Sequence, residues 1–200
     1  MHSARRQLIS SFPRSPVNIL AICGSLRATS SNVAIARAAA RVAPPGTDVV
    51  IYDGLAALPA FSPDLDVEPL PAPVAALRAQ IAAADALLIA SPEYAHGMPG
   101  SLKNALDWLV SSLEALGKPV LLVSASPGGA AHAHAQLAEV LRTMSLPLVD
   151  GGAHVFTRAR LDAGGEVSDP ELLAALAAGV AALTGVVARL RAATAPSDAT

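Results

Sequence analysis

The sequence predicts a three-layer α/β domain, and three observations carry that expectation. Short, nearly uninterrupted apolar runs recur along the chain, Ala-rich segments of helical composition separate them, and the two kinds of segment alternate. Strands without a polar face cannot lie against water, so a parallel sheet covered by helices on both sides is the arrangement that buries them. The 52% hydrophobic content of the 200 residues supplies the core for such a domain.

The elements follow in order. Residues 1–16 form a polar, Pro-punctuated arm, expected to be flexible up to Val17. "VNILAIC" (17–23), "DVVIYD" (48–53), "DALLIAS" (85–91), "KPVLLVSAS" (118–126) and "LPLVDGGAHVF" (146–156) are the candidate strands, β-rich and bounded by Gly, Pro or Asp. Candidate helices span Asn32–Val42, Val74–Ala83, Ser101–Leu116, Ala130–Met144 and Asp169–Arg191. Residues 54–73, rich in Pro and Asp, read as an ordered surface excursion. One domain over 17–191 and a tail over 192–200 complete the division, with no repeats.

Composition excludes several functions. Fourteen basic against 16 acidic residues give a formal net charge of −2, which offers no footprint for nucleic acid or an anionic membrane. A single Cys allows no internal disulfide, and the first 16 residues lack the apolar core of a secretory signal, so the cytoplasm is the expected compartment. No uninterrupted run of about 18 apolar residues occurs, and no transmembrane helix is expected. Partners are expected to be small molecules or further copies of the chain.

Ligands of parallel α/β sheets bind beyond the carboxyl ends of the strands. The first such turn is "GSLRATSSN". It lacks both the three-glycine dinucleotide pattern and the Gly-Lys-Ser/Thr ending of a nucleotide loop. It does gather Ser25, Arg27, Thr29, Ser30, Ser31 and Asn32 immediately before a helix. Hydroxyl and amide donors, one guanidinium and the positive end of the helix together suit a phosphate dianion. Ser30, Ser31 or Asn32 also suits the helix N-cap, but a cap needs one short acceptor, whereas this loop supplies an excess of donors and a fixed charge. Cys23 reads as a small buried apolar residue.

The second turn lies in "SPEYAHGMPGSLKNALDWL" (91–109). Pro92 stiffens it, Tyr94 offers a planar surface, and Gly97 and Gly100 allow close backbone approach to a ligand. Glu93 is free to pair with Arg27 or with a neighbouring chain, and Tyr94 suits either a ligand wall or a subunit boundary. His96 is placed for substrate contact or for solvent. His132 and His134, two apart on a helix, do not share a face, so no metal pair is expected, and Lys103 and Asp107 form a surface pair one turn apart. Leu102, Leu106, Leu109, Leu113 and Leu116 make one apolar stripe, with Trp108 and Val110 off it; more than sheet packing needs, the stripe points to a subunit interface.

These residues carry a resemblance. Gly24, Ser25, Leu26, Arg27, Ser30 and Asn32 match the Gly-Ser-Leu-Arg-x-x-Ser-x-Asn loop of the NADPH-dependent FMN reductases, flavodoxin-like enzymes that include chromate and quinone reductases. Pro92, Glu93, Tyr94, Pro99, Gly100, Leu102, Lys103, Asn104, Ala105, Asp107 and Trp108 resemble the family's second motif, with Ala95 where the family usually has Asn. Ser124 and the "PGG" turn at Gly128 resemble its third loop.

The resemblance implies a five-stranded parallel sheet in the order 2-1-3-4-5. It implies FMN held by Ser25, Leu26, Arg27, Ser30, Ser31, Asn32, Pro92, Glu93, Tyr94, Ala95, Ser124 and Gly128, with NADPH or NADH as hydride donor. Quinones, chromate, azo dyes, ferric complexes or free flavin would be acceptors, in a homodimer or homotetramer. No side chain is required as a covalent catalyst. A flavodoxin-like electron carrier without its own nicotinamide activity is the alternative, and a non-catalytic interaction protein of the same fold a third possibility.

Overall fold

The computed structural model describes residues 15–27, 29–125, 129–155, 161–162 and 164–194. Alternation of side chains along the strands builds two cores, one on each face of the sheet. Strand β1 (Val17–Cys23) sends Ile19, Ala21 and Cys23 to one face and Leu20 and Ile22 to the other; β3 (Ala86–Ala90) and β4 (Val120–Ser124) divide in the same way. Strand β2 (Thr47–Tyr52) lies at one edge and β5 (Leu148–Val155) at the other. All neighbours pair parallel in the order β2-β1-β3-β4-β5, as the resemblance implied. The register shifts between β4 and β5, where Val120 pairs with Leu148 but Leu122 with Ala153, taking up the Gly pair. The strand end expected at Phe156 lies outside the described residues.

The two faces differ in packing grain. Helix α1 (Ser31–Val42) buries Ile35 and, beside it, Ala34, Ala36, Ala38 and Ala39, small residues that let it lie close to the sheet and to α5 (Pro170–Thr194). The opposite face is Leu-rich and is covered by α2 (Ala72–Ala83), α3 (Gly100–Asp107) and α4 (Ala131–Thr143). Helix α5 is long and apolar enough to cross a bilayer, with mean hydropathy 2.0 over 18 residues, which a search for unbroken apolar runs does not flag. Its Leu172, Leu176, Val180, Leu183 and Val187 form one stripe inside the first core, so one face of the helix packs within the domain.

Three expectations are corrected. Helix α3 ends at Asp107, not Leu116. Arg78 donates to the Trp108 carbonyl at 2.7 and 3.1 Å, the acceptor that a continuing helix would offer to the Ser112 N–H; that N–H turns instead to Leu109 O at 3.2 Å. The leucine stripe is therefore split: Leu102, Leu106 and Leu109 enter the core, while Leu113 and Leu116 are exposed. Trp108, expected off the stripe, is fully buried. The N-terminal arm lies outside the described residues except for Ser15 and Pro16, whose carbonyls accept hydrogen bonds from Arg191 at 2.8 and 3.0 Å. That guanidinium also reaches Asp85, which caps the β1 backbone by accepting from Asn18 N–H.

Candidate functional site

Three turns leave the carboxyl edge of the sheet at adjacent strands β1, β3 and β4, and cross-links between them define the site. After β1, Gly24 passes so near α3 that a Cβ there would sit 3.1 Å from Leu102 and 3.3 Å from Pro99. Ser25 follows, buried, with its Oγ 3.5 Å from the Tyr94 hydroxyl and accepting from the Arg27 N–H at 3.4 Å. Leu26, Arg27 and Thr29 point outward, and Arg27 makes no ion pair among the described residues.

Ser30 is the N-cap of α1, its Oγ accepting from Asn32 N–H at 3.3 Å. Capping and ligand binding do not compete here, because the same hydroxyl keeps its own proton to donate. Asn32 is more buried than a surface donor: its Oδ1 accepts the Ala125 N–H at 3.0 Å and its carbonyl takes the Cys23 thiol at 3.8 Å, so it braces the first turn against the third. Burial pushes the Cys23 thiol up to about 12, consistent with the apolar role expected of it.

The second turn is a two-residue reversal. Tyr94 and Gly97 exchange backbone hydrogen bonds at 2.9 and 3.0 Å, and the central Ala95 and His96 both have left-handed backbone, φ 49° and 59°. That is the hairpin geometry Asn and Gly adopt most readily, and the family's Asn at 95 suits it where Ala does not. Gly97 makes room within the chain, and Gly100 stands clear of it. A Cβ at Gly97 would meet the Gln136 Oε1 of α4 at 3.1 Å, and Gly100 faces open space at the start of α3. Gln136 also accepts the Met98 N–H at 3.0 Å, a link between turn and helix that the sequence did not disclose.

Glu93 pairs neither with Arg27 nor, within this chain, with any other arginine or lysine among the described residues. Its Oε2 accepts the Ala133 N–H at 2.9 Å at the start of α4, and this bond, with help from the nearby His132 and His96, holds its carboxyl below the usual range. Tyr94 is half exposed and Pro92 buried. In the third turn Ser124 is fully buried, and its hydroxyl has no hydrogen-bond partner among the described residues. The same is true of His134 Nε2 on α4, and burial pushes that imidazole's pKa down. The contact expected at Gly128 lies outside the described residues.

The arrangement fits a phosphorylated, flat cofactor. An exposed guanidinium, hydroxyls and a helix N-terminus stand at one end, an aromatic ring and a stiff strand-end turn beside them, and a buried Ser124 hydroxyl awaits a partner on the next strand.

Comparison with known proteins bears on this geometry. The sequence model of the NADPH-dependent FMN reductase family matches residues 17–160. An NAD(P)H-dependent FMN reductase of Pseudomonas aeruginosa is 40% identical over 122 residues, 60% of this chain and 65% of that protein, just under two thirds of its length. A quinone reductase of Escherichia coli is 37% identical over 130 residues, 62% of this chain and 69% of its own length. Among solved structures, the flavoenzyme NAD(P)H:(acceptor) oxidoreductase FerB of Paracoccus denitrificans superposes with a TM-score of 0.70 at 26% identity, over 86% of this chain and 98% of that one. From the three turns to the matched segment that contains them, the chain belongs to the NADPH-dependent FMN reductase family.

Proposed function

We propose that this member of the family oxidises NADPH or NADH with FMN held across the carboxyl edge of β1, β3 and β4, and reduces small acceptors of the quinone class. The observation that carries the reading is the joining of the three turns into one cradle, through Ser25 with Tyr94, Asn32 with Ala125, and Glu93 with Ala133. The chemistry that FMN would supply when bound is hydride uptake from the nicotinamide and electron delivery to the acceptor.

The chain's residues bind and orient. Arg27, with Ser25, Ser30, Ser31 and the first N–H groups of α1, would hold the phosphate. Pro92, Glu93, Tyr94 and Ala95 would wall the ring system, and the Ser124 hydroxyl would take a ring or ribityl oxygen as its missing partner. Leu26 is exposed beside them, placed to cover the cofactor or a substrate with apolar surface. No protein nucleophile or base is needed, and Cys23 is held as a protonated thiol.

Acceptor breadth follows from the solvent-facing second turn; chromate, azo dyes, ferric complexes and free flavin belong to the same proposal. So do a cytoplasmic setting, partners that include neither nucleic acid nor membrane, and self-association as a dimer or tetramer through exposed Val110, Leu113 and Leu116. The experiment is an anaerobic absorbance titration of purified protein with NADPH and then NADH, followed by a benzoquinone. A yellow protein whose flavin bands bleach and return on adding quinone supports the reading. Bands that bleach with neither nucleotide leave an electron carrier instead, and a protein that refuses added FMN defeats both.

A further inference from the structure

At the edge of the site two histidines with no part in the proposed reaction, His96 and His132, meet Glu93, a residue of the proposed ring wall. Glu93, His96 and His132 each present one donor atom, and these atoms all lie within 4.8 Å of one another. The three come from two elements: Glu93 and His96 from the turn after β3, and His132 from the first turn of α4. His132 and His134 do not share a helix face, as expected, but the partner of His132 is a loop residue far away in sequence. Its ring meets that of His96 edge to face, centroids 4.3 Å apart.

We propose that Glu93, His96 and His132 form a binding site for a divalent transition metal of the zinc class, which ties the 92–97 turn to the start of α4. His96 Nδ1 lies 3.4 Å from Glu93 Oε1. Two donors bonded at roughly 2.0–2.2 Å to one tetrahedral zinc stand about 3.4 Å apart, so this pair is already spaced for it. Glu93 offers one oxygen while the other is fixed by the Ala133 N–H, the outer bond that orients a carboxylate ligand.

The donor set selects the ion. Two imidazoles with one carboxylate suit zinc, nickel or copper, whereas calcium and magnesium take oxygen ligands almost throughout. His96 is 78% exposed, so it can close the remaining distance by side-chain rotation, and the fourth position faces solvent. The start of α4 opposes a cation with about half a unit of positive charge, and the full negative charge of Glu93 at the same place outweighs it.

A plain hydrogen-bonded cap, with His96 leaning on Glu93, would give the same contacts without any metal, and binding measurements separate the two. Tag-free full-length protein, treated with chelator and dialysed, is titrated with zinc chloride by calorimetry, and its melting is followed with and without zinc. One saturable site is expected, with a zinc-dependent rise in Tm. His96→Ala and His132→Ala should each weaken binding at least tenfold while melting like the parent in the absence of metal, because both side chains are exposed. His2→Ala should change nothing. The proposal is overturned by absence of saturable zinc binding, by equal affinity in His132→Ala, by loss of binding in His2→Ala, or by magnesium binding as tightly as zinc. None of these results depends on flavin, so they stand apart from the outcome of the anaerobic titration.

Discussion

Two segments leave neighbouring strands at the same edge of the sheet and are held in opposite ways. The turn after β1, residues 24–30, keeps its donors: Leu26 is exposed, Arg27 is unpaired among the described residues, and the Ser25 hydroxyl makes only long contacts of 3.4 and 3.5 Å. The excursion after β2, residues 53–71, has its groups engaged. Pro59 O accepts both Trp108 Nε1–H and Asn104 Nδ2–H at 2.9 Å, Phe61 N–H donates to Asn104 Oδ1 at 2.8 Å, and Phe61 packs edge to face on Trp108 at 5.1 Å. Arg78 adds a bridge to Asp66 at 2.8 Å. A long loop stays ordered by satisfying its backbone against side chains of a neighbouring segment, whereas a short loop of the proposed kind, receiving an anion, must keep its donors free. The second motif thus has two halves: Pro92–Ala95 lies in the turn after β3, which we propose walls the cofactor, while Asn104 and Trp108 anchor the excursion.

The largest expected effect falls on the anchored segment. Trp108→Ala removes a fully buried ring and the bond to Pro59, and should cost about 3–5 kcal/mol. At roughly 2–4 °C per kcal/mol for a chain of this size, Tm should drop by on the order of 10 °C. A change below about 2 °C would show that the excursion is held by other contacts and would break the comparison.

Arg27→Ala tests the other side. Losing a charge-assisted contact to phosphate is worth about 1.5–3 kcal/mol, which weakens FMN binding roughly 10- to 100-fold. The flavin-free protein should melt within about 0.5 kcal/mol of the parent, since nothing described is bonded to this guanidinium. Comparable losses of stability and of FMN affinity would mean that Arg27 is structural after all.

How much of this could be read in advance follows from the range of the interactions. Strand and helix identities are local, carried by runs such as 86–90 and by Ala-rich segments, and the residues of the three turns could be quoted because each motif is contiguous. The end of α3 could not be read, because it is set by Arg78 arriving from α2. Glu93 found its partner on α4 and Gly97 its neighbour in Gln136 for the same reason, and the cluster of Glu93, His96 and His132 exists only once β3 and α4 are side by side. The turn at Ala95–His96 was hidden differently: its residues are poor formers of the conformation they adopt.

That misfit gives a smaller prediction. A left-handed Ala carries a steric cost of roughly 1–2 kcal/mol, which Asn partly avoids by local hydrogen bonding. Ala95→Asn should therefore stabilise the protein by about 1 kcal/mol and raise Tm by about 2–4 °C, measured by calorimetry without flavin. A lowered Tm would mean that the turn is strained for a reason the backbone alone does not state.

The smallest effect lies on α4, just beyond the third turn, where the unspent group is buried rather than exposed. His134 has one ring nitrogen without a partner among the described residues; burial disfavours its imidazolium, although a hydrogen bond with the Val123 backbone and the charge of Glu93 act the other way. Its folded pKa lies below the ordinary value, so as pH falls below about 6.5 the unfolded chain takes up this proton first. Stability from neutral His134 is complete above that pH and is lost on acidification. Glu93 has the same sign, its folded pKa being depressed, but its window lies lower, below about 4.3. Melting between pH 7.5 and 5.5 therefore isolates the histidine: Tm should fall with pH in the parent and fall less in His134→Gln. An unchanged slope in that variant would show that His134 does not titrate on unfolding in this range, and that its buried nitrogen is already satisfied in the folded protein.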